Sequence, residues 1–126
     1  MRILVLGGSG FIGRNLVKSL ADTNHTVISL DSVSSNPQDN VTYIQTDIRN
    51  TNVSELVSTS DLVIDLIAYA NPSLYVSDPL NTFNICFTEN LKIVELCTRY
   101  KKRLMQFSTS EVYGDHGDKS IAWNEQ

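Results

Sequence analysis

Four glycines stand within seven residues near the start of the chain, directly after the apolar run 3–6. Their spacing fits Gly-x-x-Gly-x-x-Gly from Gly7 and Gly-x-Gly-x-x-Gly from Gly8, and both patterns end at Gly13. Between a strand and a helix, such a loop lets backbone N–H groups and the helix N-terminus approach a pyrophosphate that side chains would block. The loop therefore predicts a dinucleotide site. A purely structural turn is the alternative, whereas a triphosphate loop is disfavoured because no Gly-Lys-Ser/Thr follows.

An acidic residue, Asp31, ends the second predicted strand, 18 residues after Gly13. A carboxylate at this position can accept hydrogen bonds from the adenosine ribose hydroxyls and would repel a 2′-phosphate. We therefore expect NAD rather than NADP. The competing interpretation is a turn residue that caps the polar loop after the strand.

Hydroxyl and carboxyl groups cluster in the sequence Ser-Thr-Ser-Glu at residues 108–111, directly after the last predicted strand. The carboxyl ends of parallel strands face the crevice in which such sheets bind ligands. Side chains of this kind can hydrogen-bond a substrate or exchange protons with it. Without the glycine loop, an ordinary turn would be the better interpretation.

The elements that must position these residues alternate between strand and helix. Apolar runs predict strands over residues 2–6, 25–31, 41–47, 61–68 and 103–107. Helices are expected over residues 15–21, 51–58 and 79–100, with a loop over 69–78. The last helix carries apolar residues at spacings of three and four: Leu80, Phe83, Phe87, Leu91, Val94 and Cys97. This alternation predicts an α/β fold with a doubly wound parallel sheet.

Composition excludes several classes of function. The formal charge of −4 gives no basic surface for nucleic acid or an anionic membrane. No apolar run reaches the ~18 residues of a membrane span, and no signal peptide is recognisable, so we expect a cytoplasmic protein. Cys86 and Cys97 lie too far apart along one helix to form a disulfide, and we expect two buried thiols and no metal site.

These motifs together resemble the extended short-chain dehydrogenases/reductases, in the branch of NAD-dependent nucleotide-sugar epimerases and dehydratases. Within that branch the chain is most similar to UDP-glucuronate decarboxylases. The resemblance covers essentially all 126 residues and is carried by residues 7–13, Asp31, 47–48, 66–68, 72–75, 79–80, Phe83, 89–93 and 108–114. It implies a Rossmann-type sheet of which residues 1–126 would hold the first five strands, as a partial NAD-binding domain without the substrate domain.

The resemblance also implies site residues. The residues expected to bind the cofactor are Gly7, Gly10, Phe11, Ile12, Gly13, Asp31, Asp47, Ile48, Leu66 and Ala68. Pro72 and Tyr75 would lie near the nicotinamide and the sugar, and Asn90 would be the helix asparagine of the family. The expected catalytic residues are Thr109, Ser110 and Glu111. Thr109 or Ser110 would hydrogen-bond the sugar hydroxyl that is oxidised, and Glu111 would be an acid/base or orient the substrate carboxylate. Related dehydratases carry Asp-Glu where this chain has Ser110-Glu111, so dehydration is disfavoured.

The family's central acid/base, a Tyr-x-x-x-Lys pair, has no counterpart here, because none of the five tyrosines is followed by lysine four residues later. We therefore expect the front portion of a longer enzyme, which oxidises a nucleotide sugar at C4 by hydride transfer to NAD before decarboxylation or epimerisation. A non-catalytic dinucleotide sensor or interaction module is the alternative. The helix over residues 79–100 would support a homo-oligomer, and His116 is interpreted as a solvated loop residue.

Overall fold

The structure, a computed structural model, describes residues 1–114 without the side chain of Glu111. A single parallel sheet organises this part of the chain. Its strands are β1 (Arg2–Leu6), β2 (Thr26–Asp31), β3 (Val41–Gln45), β4 (Leu62–Asp65) and β5 (Arg103–Gln106). They lie in the order β3-β2-β1-β4-β5, and every pairing is parallel. The glycine loop therefore follows the central strand, and the predicted doubly wound α/β sheet is confirmed.

Helices connect the strands. They are α1 (Phe11–Ala21), α2 (Ser54–Thr59), α3 (Pro72–Ser77), α4 (Pro79–Phe83) and α5 (Asn90–Tyr100), with 3₁₀ turns at Ile48–Asn50 and Ser110–Tyr113. The prediction of a loop over residues 69–78 is wrong, since α3 lies within it. Asn71 caps this helix by accepting a hydrogen bond from Ser73 N (3.1 Å), and Pro72 occupies its first turn, where a missing N–H costs nothing.

The core lies on both faces of the sheet because successive strand residues point to opposite sides. Ile3 and Val5 of β1 pack beneath Val17 of α1. Leu4 and Leu6 face the other layer, which includes Val57 of α2 with Ile93 and Cys97 of α5. Burying a side chain of this size contributes roughly 1.5–3 kcal/mol, so the central strand is the best anchored part of the sheet.

A π-helical turn, Asn84–Glu89, joins α4 to α5 and alters which residues face the core. The buried residues are Ile85, Glu89, Ile93 and Cys97, spaced by four. The apolar side chains Leu80, Phe83, Phe87, Leu91 and Val94 are exposed. Five of the six residues of the predicted apolar stripe thus lie on the exposed side of this segment, and the sixth, Cys97, is buried. The prediction of two buried thiols holds for Cys97, whereas Cys86 is only half-buried.

Candidate functional site

Two adjoining cavities open at the carboxyl edge of the sheet. The first, about 320 Å³, is lined by Gly7, Ser9, Gly10, Leu30, Asp31, Ser32, Val33, Thr46, Asp47, Ile48, Arg49, Leu66, Ile67, Ala68, Tyr69 and Ile85. Seven of the ten expected cofactor residues thus line one cavity. The other three do not: Gly13 is buried in α1, and the side chains of Phe11 and Ile12 are exposed.

The glycines of the loop serve two different purposes. A Cβ on Gly13 would come within 2.2 Å of Gly7 O, and one on Gly8 within 2.0 Å of Ser29 Oγ, so these two glycines are needed for packing. Gly7 has a φ of +81°, which side chains rarely adopt. A Cβ on Gly10 would meet nothing closer than 3.5 Å. The protein's own packing therefore does not require glycine at position 10, whereas a ligand at the N-terminus of α1 would.

The two possible glycine patterns are thereby distinguished. Gly7 and Gly10 line the first cavity, while Gly8 packs against Ser29 of β2 and lies outside the lining. The first glycine of the loop that faces the cavity is thus Gly7, as in Gly-x-x-Gly-x-x-Gly, whereas Gly13, which ends both patterns, is buried in α1. Gly10 is also the N-cap of α1, whose first turn carries no acidic residue, so the positive end of the helix dipole adjoins the cavity uncompensated.

Asp31 caps the loop after β2, as one of its two predicted interpretations has it, and it also lines the first cavity. Its carboxylate accepts hydrogen bonds from Ser9 N (2.9 Å, Oδ2) and from Val33 N (3.1 Å, Oδ1), so it fixes the glycine loop and caps the following loop. It is only half-buried and lines the first cavity. Because a carboxylate has about four acceptor positions, these two bonds leave capacity for a ligand hydroxyl.

Asp47 and Arg49 form a charged rim on the same cavity. The two side chains are paired, and the hydrogen bond from the Arg49 guanidinium holds the pKa of Asp47 below its ordinary value. Arg49 also donates to Asn81 Oδ1 (2.7 Å), which ties this rim to α4. Sequence reasoning found Asp47 and missed Arg49, although a cation two residues after an N-capping aspartate was a usable signal.

The second cavity, about 830 Å³, lies between β5 and the segment formed by α4, the π-helical turn and α5. It is lined by Ala68, Tyr69, Ala70, Tyr75, Thr82, Cys86, Phe87, Asn90, Leu91, Val94, Gln106, Phe107, Ser108 and Thr109. It thus brings together Tyr75, Asn90 and Thr109 from three separate elements. Pro72 and Ser110 lie outside its lining, and the side chain of Glu111 is outside the described part, as is His116.

Asn90 positions the wall between the two cavities. Its side-chain amide donates to Ile67 O (3.2 Å) and to Cys86 O (3.1 Å), so it binds the segment after β4 to the π-helical turn. Cys86 Sγ in turn accepts a hydrogen bond from Tyr69 N (3.4 Å). Ile85 and Tyr69 also line this region and were missed. Ile85 lies on the π-helical turn, which leaves no trace in the hydrophobic pattern, and Tyr69 lies in the segment between β4 and α3.

No group of three or more His, Cys, Asp or Glu side chains within residues 1–114 is placed to hold a metal ion. In the same part of the chain, no helix has the length and apolar character needed to cross a bilayer.

Comparison with known proteins gives consistent matches. The model of the NAD dependent epimerase/dehydratase family matches residues 3–125. The bifunctional polymyxin resistance protein ArnA of Wigglesworthia glossinidia brevipalpis is 37% identical in a 121-residue alignment that covers 90% of this chain and 18% of that protein. The PbgP3 protein of Burkholderia pseudomallei has a similar structure, with a TM-score of 0.83 and 33% identity, and the match covers 94% of this chain and 38% of that one.

A third match bears on the cofactor. It is the UDP-glucuronic acid 4-epimerase of Bacillus cereus, crystallised in complex with NAD, with a TM-score of 0.77 and 27% identity over 91% of this chain and 42% of that one. This chain therefore spans less than half the length of these relatives. Since the family model matches almost all of its residues and the predicted sheet and glycine loop are present, the chain belongs to the NAD-dependent epimerase/dehydratase family.

Proposed function

We propose that this chain is the NAD-binding, N-terminal part of an enzyme that oxidises a nucleotide-linked sugar at C4 and then decarboxylates or epimerises it. The observation that carries the proposal is the first cavity, which has Asp31 at one end and Gly10 at the other, where no protein atom packs tightly against the glycine. The family is NAD-dependent, and the residues present fit that cofactor.

Each side of the first cavity suits one part of the dinucleotide. The N-terminus of α1, with Gly7 and Gly10, would hold the pyrophosphate. Asp31 would accept hydrogen bonds from the ribose hydroxyls and disfavour a 2′-phosphate. Asp47 and Ile48 would border the adenine, and the apolar wall would be formed by Leu66 and Ala68. When bound, NAD supplies the hydride acceptor for the oxidation.

The second cavity would receive the sugar, because it adjoins the first at Ala68 and Tyr69. Tyr75 would contact the nicotinamide and the sugar, with Pro72 nearby. Thr109 or Ser110 would hydrogen-bond the C4 hydroxyl, and Glu111 would exchange a proton or orient the substrate carboxylate. None of the five tyrosines has the Tyr-x-x-x-Lys spacing, so we place the base that takes the hydroxyl proton in the part of the relatives that this chain does not span.

Calorimetric titration with NAD and, separately, NADP tests the cofactor assignment. We expect micromolar binding of NAD and much weaker binding of NADP. Gly10→Val should abolish binding without unfolding the protein, because its side chain would project into the cavity. Ser19→Val, on an exposed position of the same helix, is the matched control. Failure of the folded wild-type chain to bind either dinucleotide would overturn the proposal.

Asp31→Ala tests the basis of the preference for NAD. We expect NAD to bind at least about 10-fold more weakly, since hydrogen bonds to a charged group contribute about 1.5–3 kcal/mol each. The NAD-to-NADP preference should also shrink, because the repulsion of the 2′-phosphate is removed. Asp39→Ala, on an exposed acid of the following loop, should change neither value. An unchanged preference in Asp31→Ala would contradict the role of Asp31.

The absent tyrosine–lysine spacing favours a second candidate, a non-catalytic module that senses the dinucleotide. Sequencing the source reading frame beyond Gln126 separates the two. A continuation with Tyr-x-x-x-Lys supports the enzyme, and a stop codon directly after Gln126 supports the sensor.

A further inference from the structure

We propose that Asp65 is a positioning residue, which fixes from inside the sheet the wall that the two cavities share. The inference rests on the proposed function only in using NAD as the probe of the first cavity. Asp65 has no role in the cofactor and substrate contacts described above and lines neither cavity.

The position of Asp65 connects it to both cavities. It is the last residue of β4, paired in register with Leu6 of β1 and Gln106 of β5, and its side chain is fully buried. Its Oδ1 accepts a hydrogen bond from Ile67 N (3.0 Å), and its backbone oxygen accepts one from Phe107 N (3.1 Å). Ile67 lines the first cavity and Phe107 the second. The side chain thus holds the turn that leads from β4 into the shared wall at Ala68 and Tyr69, while the bond to Phe107 is made by the backbone.

The second carboxyl oxygen is not satisfied. Asp65 Oδ2 is buried and makes no hydrogen bond of normal geometry, although the Gln106 amide lies close enough to favour the charged form slightly. None of the ion pairs within residues 1–114 involves Asp65. The titratable group that faces it from α5 is the Cys97 thiol, whose pKa is raised by burial and by the charge of Asp65. Burial raises the pKa of Asp65 to about 6.

An aliphatic residue would suit this position better if stability alone mattered. Val63, which lies two residues earlier on the same face of β4, is buried and apolar, and Asp65 is buried on that face together with Cys97. Burying a carboxylate without a cation is unfavourable, but an aliphatic side chain could not accept the hydrogen bond from Ile67 N. The carboxyl group is therefore explained by what it does for the turn after β4.

Two substitutions separate the acceptor from the charge. Asp65→Asn keeps an oxygen for Ile67 N and removes the charge, whereas Asp65→Leu removes both. We expect Asp65→Asn to bind NAD within about 2-fold of the wild type at pH 7.5, and Asp65→Leu to bind at least about 10-fold more weakly, since an unsatisfied amide would loosen the wall. Asp61→Asn, an acid that accepts from Arg2 N (2.7 Å) at the other end of β4, is the control. Wild-type affinity in a folded Asp65→Leu would overturn the proposal.

The pH dependence of urea unfolding and the amide resonance of Ile67 give readouts without NAD. The pKa of Asp65 is higher in the folded protein than its ordinary 3.8, so the folded state binds the proton more tightly. Resistance to urea should therefore fall as the pH rises from about 4 to about 6, and this fall should be missing in Asp65→Asn but present in Asp61→Asn. The Ile67 amide resonance of the wild type should titrate near pH 6.

These measurements also separate the two proposals. If the wild type binds no NAD while the Ile67 resonance titrates and Asp65→Asn abolishes the titration, the cofactor assignment fails and the positioning role stands. The same resonance decides the question if Asp65→Leu does not fold. The role of Asp65 would be overturned if the Ile67 amide resonance did not shift with pH and the wild type and Asp65→Asn had the same pH dependence of urea unfolding.

Discussion

The two cavities at the edge of the sheet differ in how their walls are held. In the first, the polar groups are fixed by hydrogen bonds between residues far apart in sequence, such as Asp31 with Ser9 N and Arg49 with Asn81. In the second, much of the wall consists of exposed apolar side chains, including Phe87, Leu91 and Phe107. The walls of the first cavity are therefore held in place by polar contacts, whereas the second cavity leaves apolar side chains exposed.

Under the proposed function, cofactor binding needs a smaller part of the protein than catalysis does. A cofactor cavity can be assembled from a glycine loop and the ends of neighbouring strands, all of which lie within the five-stranded sheet. Catalysis on a sugar needs a base, a substrate pocket and exclusion of water, and these draw on residues across a whole enzyme. Breaking one cavity while sparing the other therefore tests the comparison directly.

The largest effect is expected where the first cavity meets the core. Gly13→Ala would place a Cβ 2.2 Å from Gly7 O and 2.7 Å from the Cα of Gly8, and neither backbone atom can move freely. We expect the free energy of unfolding to fall by at least about 3 kcal/mol in urea titration. Gly10→Ala, whose Cβ would meet only ordinary contacts, should cost about 1 kcal/mol or less. Equal losses in the two variants would contradict the division between packing and ligand glycines.

An intermediate effect is expected beside the second cavity, where we propose a homo-oligomer contact. Leu80 is 84% exposed and Phe83 is 60% exposed. The centroids of the Phe83 and Phe87 rings lie 5.1 Å apart. We expect the chain to self-associate at micromolar concentration in analytical ultracentrifugation, because such apolar surface is rarely left uncovered. The double variant Leu80→Ser, Phe83→Ser should be monomeric with stability changed by about 0.5 kcal/mol or less.

Val33→Ser is the control for this contact, since Val33 is 63% exposed but lies at the first cavity. It should self-associate like the wild type. A wild-type chain that stays monomeric at micromolar concentration would contradict the prediction.

The smallest effect is expected at a position remote from both cavities. Lys101 ends α5 in the left-handed conformation, with a φ of 53°, which costs a side-chain-bearing residue about 1–2 kcal/mol. Lys101→Gly should stabilise the protein by about 1 kcal/mol, since the capping bonds to Cys97 O and Thr98 O are made by backbone N–H groups. Lys102→Gly should not stabilise it. A change of NAD affinity in Lys101→Gly would show that the first cavity is not independent of this remote helix end.

The sequence predicts the sheet well because its strands are continuous apolar runs. The clearest error in a strand is instructive: residues 66–68 extend the apolar run of β4, but the strand ends at Asp65. Leu66 and Ile67 still pack against the two core layers, and all three residues line the first cavity. A local pattern cannot distinguish a residue of the strand from an apolar residue that packs on the core just beyond its end.

The site was predicted less completely than the sheet. The glycine loop and Asp31 follow from local chemistry, and both line the expected cavity. Arg49 was missed although its partner Asp47 lies only two residues away; its second partner, Asn81, is distant in sequence. Asp65 was missed because the strand pairings that set it between the two cavities join segments distant in sequence. The helix α3 was missed because its six residues carry no buried side chain and so leave no hydrophobic period.

The strand order has a consequence for the path by which the protein folds. The central strand β1 is the first to be synthesised, yet one of its neighbours starts near Asp61, which binds Arg2 N across 59 residues. Pairings of such sequence separation form slowly because a long loop must close before any contact compensates for it. We expect the first cavity to be completed late, because it needs both β2 and β4 beside β1. A ligand that fills it binds only the assembled sheet, so the free energy of unfolding should rise with the ligand concentration.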